Sequence, residues 1–234
     1  MVSGKKRRAR DPQATREAIL EAARARLAQD GPEGLSLSEV AHLAGVNRGT
    51  AYQHFETREK LIKATIDWVS ERLYRAVFGD PDNAAERRVE EVDVTELTDR
   101  MAAFAMENPE LCRIWLLQVL ASPDPASDLF WREYQGSLAR FAGTDLAQPG
   151  VDSEVLTVLM LAGNFLWPIW VQAQGDTGGN AAALARRFSN ECLRLSMFGT
   201  MRAEKYPQVV ERLRDVAAAS AGRAGAGRRN KSPG

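Results

Sequence analysis

The chain has 234 residues in which 31 Lys and Arg balance 31 Asp and Glu, so the net charge by itself indicates no polyanionic partner. Hydrophobic residues make up 44% and charged residues 26%, proportions that exclude a mostly disordered chain. Two cysteines are too few for a disulfide scaffold, and the first ten residues contain no apolar run, so no secretory signal is expected. These features predict a cytoplasmic protein with one large or two small domains.

The charge is distributed unevenly along the chain. Residues 1–60 carry eleven Lys and Arg against eight Asp and Glu, and five of these positive residues fall within the first ten. Residues 61–219 are net acidic, and residues 220–234 add four positive residues and no negative ones. This asymmetry is typical of an amino-terminal part that meets a polyanion, although two solvated basic tails explain it equally well.

The turn and cap signals predict helices throughout and no strands. Asp11 followed by Pro12 predicts the start of a first helix that ends before Gly31. Residues 36–39 (SLSE) form a capping box that starts a short second helix, and a third short helix begins at Asn47.

The junction between the second and third helices is predicted to be tight. Gly45 permits the backbone reversal that a side chain would obstruct. Val40, Leu43 and Val46 are expected to supply the apolar face that fixes the angle between the two helices.

Longer helices are predicted beyond this junction. Thr57 caps a fourth helix that reaches about Phe78, where the turn-forming residues 79–83 are a candidate domain boundary. Residues 155–175 carry no charge, but their polar residues and lack of basic flanks favour packing in a bundle or subunit interface over a membrane span. Apolar stripes and cap signals predict the later helices near 109–120, 130–141, 152–174, 180–201 and 207–219, the first of them with Asn108 as the cap before Pro109.

The strongest signal for chemistry lies in residues 35–55. On the third helix, Ala51 and Phe55 are four residues apart and are left to face a core. A short helix with an apolar back and a polar face is what the DNA major groove admits. The polar face is rich in hydrogen-bond donors: Arg48, Thr50, Tyr52, Gln53 and His54.

The segment from Thr15 to Ile62 resembles the DNA-binding domain of TetR-family repressors. The residues that carry the resemblance are Thr15, Ile19, Ala22, Ala23, Leu27, Gly31, Leu35, Ser36, Leu37, Ser38, Ala41, Ala44, Gly45, Val46, Gly49, Thr50, Tyr52, His54, Phe55 and Leu61. It implies an all-α protein with an N-terminal three-helix helix-turn-helix domain and a larger C-terminal helical domain for effector binding and dimerisation. The expected parts are a flexible basic arm over 1–11, a DNA-binding domain over 12–60, a helical body over 61–219 and a disordered basic tail over 220–234.

The resemblance also implies contacts with DNA. Asn47 takes the place of the residue that caps the recognition helix, Arg48 falls at a variable base-reading position, and Arg58 falls at a phosphate-binding position. Gln53 could bind adenine or could simply face solvent. The full set of expected contacts is Ser36, Ser38, Asn47, Arg48, Gly49, Thr50, Tyr52, Gln53, His54 and Arg58.

The body is expected to bind an effector and a second copy of the chain. Large aromatic side chains with a few polar groups suit an apolar pocket, although plain core is the commoner role of such residues. The candidate pocket residues are Met101, Phe104, Trp115, Gln118, Trp131, Tyr134, Asn164 and Trp167. The candidate dimer stripe, which could instead pack only within the monomer, is Leu184, Phe188, Cys192 and Leu195.

The sequence thus predicts a homodimeric repressor of a palindromic operator that a small apolar or aromatic effector releases, with no metal, cofactor or membrane partner. It does not predict an enzyme, because the chain has no nucleophile elbow, phosphate-binding glycine loop or metal-ligand spacing. Two alternatives remain open. One is a ligand-independent regulator or activator with a filled core, and the other is a helical small-molecule-binding protein or enzyme fused to the motif.

Overall fold

The structure is a computed structural model that describes residues 11–81, 88–175, 180–215 and 218. Within these residues the chain is helical, and its only β contact is an isolated antiparallel bridge between Ala147 and Met201. The all-α fold is therefore confirmed. The helices are α1 (Pro12–Asp30), α2 (Leu37–Leu43), α3 (Arg48–His54), α4 (Arg58–Phe78), α5 (Val94–Glu107), α6 (Pro109–Leu120), α7 (Leu129–Ala142), α8 (Ser153–Ala173) and α9 (Ala181–Gly199), followed by a helical segment over 207–215.

Hydrogen bonds confirm most of the predicted helix starts. The Asp11 carboxylate accepts a backbone N–H of the first turn of α1 at 3.0 Å, and the Thr57 hydroxyl accepts one from α4 at 3.2 Å. Asp152 caps α8 and Asn180 caps α9 in the same way. Each cap satisfies a donor that the helix itself cannot pair.

Two details of capping differ from expectation. The Asn108 amide donates to the Phe104 carbonyl and so serves the end of α5, because α6 starts directly after it and the last turn of α5 is within reach. The Ser36 oxygen accepts the Glu39 N–H at 3.4 Å, but the Glu39 carboxylate does not complete the capping box. It pairs instead with Arg26 of α1 at 3.0 Å.

The helices form two compact units. The first lies within Met1–Arg72 and Glu110–Leu129, and the second within Leu73–Pro109 and Phe130–Gly234. Helix α6 therefore belongs with the amino-terminal helices, and α4 is shared between the units. The predicted boundary at residue 60 stays a prediction, and the basic arm up to residue 10 and the tail over 220–234 lie outside the described residues.

The core of the first unit confirms that Phe55 packs inside it, next to the fully buried Ala51. The expectation for Leu43 is wrong, since its side chain is 56% exposed. Helix α2 ends at that residue, and Leu37 and Val40 already fill its buried face.

In the second unit, Arg212 binds the segment over 207–215 to α5 and α9 through hydrogen bonds. Both guanidinium ends of Arg212 donate to the Asp99 carboxylate at 2.9 Å, and its Nε donates to Asn190 at 2.8 Å. Burial raises the pKa of Asp99, but the hydrogen bonds from Arg212 and Ser189 outweigh that effect and hold the pKa below its ordinary value. This network stands beside an apolar cluster of Phe141, Leu193, Met197, Tyr206, Val209 and Leu213.

Candidate nucleic-acid interface

Local interactions fix the position of α3 relative to α2. Gly45 adopts a φ of 63°, and the Val46 N–H bonds to the Ala41 carbonyl at 3.0 Å, which closes α2 with a Schellman turn. Asn47 then caps α3, because its side-chain oxygen accepts the Thr50 N–H at 2.7 Å and the Thr50 hydroxyl at 3.0 Å. The turn and the cap thus set the direction in which α3 leaves α2.

The outward face of α3 carries a pre-arranged cation. The Arg48 guanidinium lies 5.2 Å from the centroid of the Tyr52 ring and donates to the Tyr52 hydroxyl at 3.3 Å. No carboxylate among the described residues pairs with Arg48, so its charge is available to a base edge or a phosphate. Gln53 and Gly49 are exposed beside this pair, and His54 is half-buried.

Arg58 is engaged within the protein. Its Nε donates to the Leu35 carbonyl at 3.0 Å, and an Nη donates to the Pro32 carbonyl. Glu33 at 3.8 Å and Glu59 at 3.7 Å lie near the remaining donors. Arg58 therefore holds the loop that precedes α2, and its contact with a phosphate stays a prediction.

We expect Arg58→Ala to have two effects. Loss of the donors to two part-buried carbonyls should lower the free energy of unfolding by about 1–3 kcal/mol. Loss of the cation should weaken binding to every DNA sequence alike and reduce the salt slope by about one unit. Urea unfolding and duplex titrations at several salt concentrations measure the two effects separately.

Arg58→Lys is the matched control for this prediction. Lysine keeps the charge and so should keep the salt slope, but a single ammonium cannot reproduce the guanidinium fork and should lose stability. Wild-type stability together with a wild-type salt slope in Arg58→Ala would show that neither role is correct.

The eight candidate effector residues do not form one pocket. Trp115 and Gln118 belong to the first unit, where Trp115 is fully buried and its Nε1 donates to Asp128 at 3.0 Å. Gln118 is exposed and borders a cavity of about 400 Å³ in the same unit. The other six belong to the second unit, and of these Tyr134 lines its cavity.

The cavity of the second unit has a volume of about 240 Å³ and lies among α4, α5, α7, α8 and the segment after α9. Its apolar wall includes Leu97, Phe141, Met160 and Met201. Sequence reasoning missed these residues, because an apolar stripe shows which side of a helix is buried but not whether another side chain or a void covers it.

An apolar face runs along α8 and α9. Six large side chains remain exposed there: Val155, Leu159, Leu166, Trp170, Leu195 and Phe198. The four on α8 recur at the spacing that places residues on one side of a helix. Within the described residues α8 is also the one helix long and apolar enough to cross a membrane, by length and composition alone.

The predicted dimer stripe is split between the interior and the surface. Leu184 and Cys192 are buried in the second unit, where α5 packs on α9. Phe188 stacks on Trp167 with ring centroids 5.7 Å apart. Only Leu195 of the four is exposed, at 71%, and it lies beside Phe198.

A capped short helix with a free donor face, set on a preceding helix by a tight turn, defines a helix-turn-helix protein. A family model, "Bacterial regulatory proteins, tetR family", matches residues 19–65. The HTH-type transcriptional repressor Rv3405c of Mycobacterium tuberculosis is 32% identical over 74 residues, which are 31% of this chain and 39% of that protein. The chain thus spans less than half the length of this curated relative.

Solved structures share the fold of the chain. The TetR family protein CprB from S. coelicolor A3(2) has a TM-score of 0.58 and 22% identity, over 85% of this chain and 97% of that one. AibR, solved in complex with isovaleryl coenzyme A and operator DNA, has a TM-score of 0.58 and 15% identity, over 77% of this chain and 97% of that one. Residues 19–65 thus match the family model of tetR bacterial regulatory proteins, and the chain shares the fold of CprB and AibR.

Proposed function

We propose that the protein is a cytoplasmic transcription regulator that binds duplex DNA with α3 in the major groove. The observation that carries this proposal is the exposed Arg48–Tyr52 pair on a capped helix inside the segment that matches the family model. A guanidinium can bind guanine O6 and N7 through two hydrogen bonds. Thr50, His54 and the two serines at the start of α2 can donate to phosphates or base edges and so set the register on the duplex.

The regulator acts as a homodimer through the apolar face of α8 and α9. Helix α8 buries one side in its own unit and exposes an apolar stripe on another, which is the pattern of a helix whose second side packs in a subunit interface. Two helices from each subunit can cover these stripes in a four-helix bundle. Two α3 helices about 34 Å apart then read the two halves of a palindromic operator.

A small molecule in the cavity of the second unit releases the DNA. Binding favours a conformer in which the two recognition helices are wrongly spaced for successive major grooves, and the shift cannot exceed the ligand's differential affinity for the two conformers. The name of Rv3405c describes that protein as a repressor, and AibR was solved with both a ligand and operator DNA. These descriptions support repression at an operator and the binding of a small molecule, and the release of DNA is our inference.

Selection of bound fragments from random duplex DNA tests the proposal. We expect enrichment of an inverted repeat whose half-sites are centred about one helical turn apart. Specific affinity should exceed that for unrelated duplex by roughly a thousandfold or more at physiological salt. Equal affinity for every duplex, including at low salt where phosphate contacts are strongest, would reject the proposal.

A further inference from the structure

Tyr134 carries one of the buried hydroxyl groups of the cavity in the second unit. Tyr134 is 5% exposed, and its ring stacks on Phe130 with centroids 5.7 Å apart, which holds the side chain in place. Among the described residues nothing hydrogen-bonds to its hydroxyl. The completely buried polar atoms without a partner in the described residues belong to Arg26, Asn164 and Trp167, and the Tyr134 oxygen is not among them. This is expected of a hydroxyl that is accessible from the cavity.

This hydroxyl stays protonated and can donate. Burial raises the pKa of Tyr134 above its ordinary value, and the nearby Cys192 raises it further. A buried donor without an acceptor is unfavourable, so a ligand that places an acceptor against it gains affinity.

The charged side chains around the cavity are already compensated. Glu96 pairs with Arg100 one turn along α5, and Arg140 pairs with Glu133 at 2.9 Å along α7. Asp93 accepts two backbone N–H groups of α5, at 2.9 and 3.1 Å. A charged ligand therefore meets no unpaired counter-ion among these groups, and burying its charge in the apolar part of the cavity is unfavourable.

The volume of the cavity limits the size of the ligand. An apolar cavity of about 150 Å³ accommodates benzene. At the same volume per atom, the 240 Å³ of this cavity accommodate roughly ten non-hydrogen atoms. Most of the ligand must be apolar, because most of the wall is.

We propose that the cavity takes an uncharged, mainly apolar ligand of roughly ten non-hydrogen atoms, with an oxygen acceptor that meets the Tyr134 hydroxyl. This inference rests on the proposed function, because it names the chemical class of effector for the same cavity. According to this proposal, the Tyr134 hydroxyl makes the cavity bind a ligand with an acceptor more tightly than a hydrocarbon of equal size.

Three probes with equal numbers of non-hydrogen atoms separate the contributions in calorimetric titrations of the full chain. They are ethyl benzoate, its carboxylate isomer 4-ethylbenzoate, and pentylbenzene. We expect the ester to bind at least roughly tenfold more tightly than the carboxylate, because the arginines that line the cavity are already paired and the carboxylate would be buried without a counter-ion. Tyr134→Phe should weaken the ester by about 2- to 10-fold and leave the hydrocarbon unchanged.

Thr98→Val is the matched control, because Thr98 lines the same cavity but its hydroxyl already donates to the Val94 carbonyl at 2.6 Å. This variant should keep the wild-type difference between ester and hydrocarbon. Three results would each overturn the inference: no binding of the ester, binding of 4-ethylbenzoate as tight as that of the ester, or an equal loss for ester and hydrocarbon in Tyr134→Phe.

The same preparations also separate this inference from the proposed function. Normal binding to selected DNA without binding of the ester rejects the ligand class and leaves DNA recognition standing. Binding of the ester without any release of DNA rejects the effector role of the cavity, whereas the assignment of its ligand class holds.

Discussion

The double variant Leu195→Arg/Phe198→Arg is expected to be monomeric and to lose specific operator binding. Both side chains are largely exposed in the single chain, Phe198 at 83%, and both lie on the face proposed to meet the partner subunit. Two-fold symmetry would bring four arginines into one apolar interface, where unpaired charges are strongly unfavourable. Light scattering and operator titration measure the two losses.

The loss of affinity should be large, because a monomer reads only one half-site. Binding should fall towards the non-specific level, about a thousandfold or more below the specific affinity. Leu117→Arg is the matched control, since Leu117 is 51% exposed but lies on α6 in the first unit. The control should remain dimeric. A double variant that remains dimeric with wild-type operator affinity would show that the interface lies elsewhere.

Arg48→Ala is expected to weaken operator binding by about 1–3 kcal/mol per half-site and to relax the preference at one base pair in each half. A dimer carries the substitution twice, so the total loss should be about 2–6 kcal/mol. Competition titrations with operators changed at single base pairs locate the position that Arg48 reads.

The variant Arg48→Lys distinguishes the effect of the guanidinium geometry from the effect of the positive charge. Lysine keeps a positive charge but cannot form the two-pronged contact with guanine, so discrimination should fall while the salt slope stays near the wild-type value. If Arg48→Ala instead lowers the affinity for all operators equally, Arg48 contacts the DNA backbone and another residue of α3 reads that base pair.

The amino-terminal helices could be predicted in detail because their signals act over a few residues. Asn47 caps α3 by bonding three residues ahead, and Gly45 supplies the left-handed turn between α2 and α3. Ala51 and Phe55 face the core because of their spacing on one helix. The same signals made the resemblance to a family recognisable from about a fifth of the chain.

Contacts between residues distant in sequence explain why some side chains have other partners than the sequence predicts. Glu39 leaves its expected capping partner for Arg26, which belongs to another helix thirteen residues earlier. Arg58 binds carbonyls more than twenty residues away, and this occupies donors that the family pattern assigns to a phosphate. A sequence pattern shows that such side chains are polar but not which distant group comes within reach.

By itself, the sequence determined the helical class, the helix starts and the donor face of α3, since caps, turns and periodicity are local properties. Only the tertiary structure decided which apolar side chains are covered. It buries Leu184 and Cys192 in the second unit and leaves Leu195 and Phe198 exposed, and it brings Tyr134 to a cavity but buries Trp115 in a core. The physical reason is that burial depends on the neighbour that packs against a helix face, and that neighbour comes from another part of the chain.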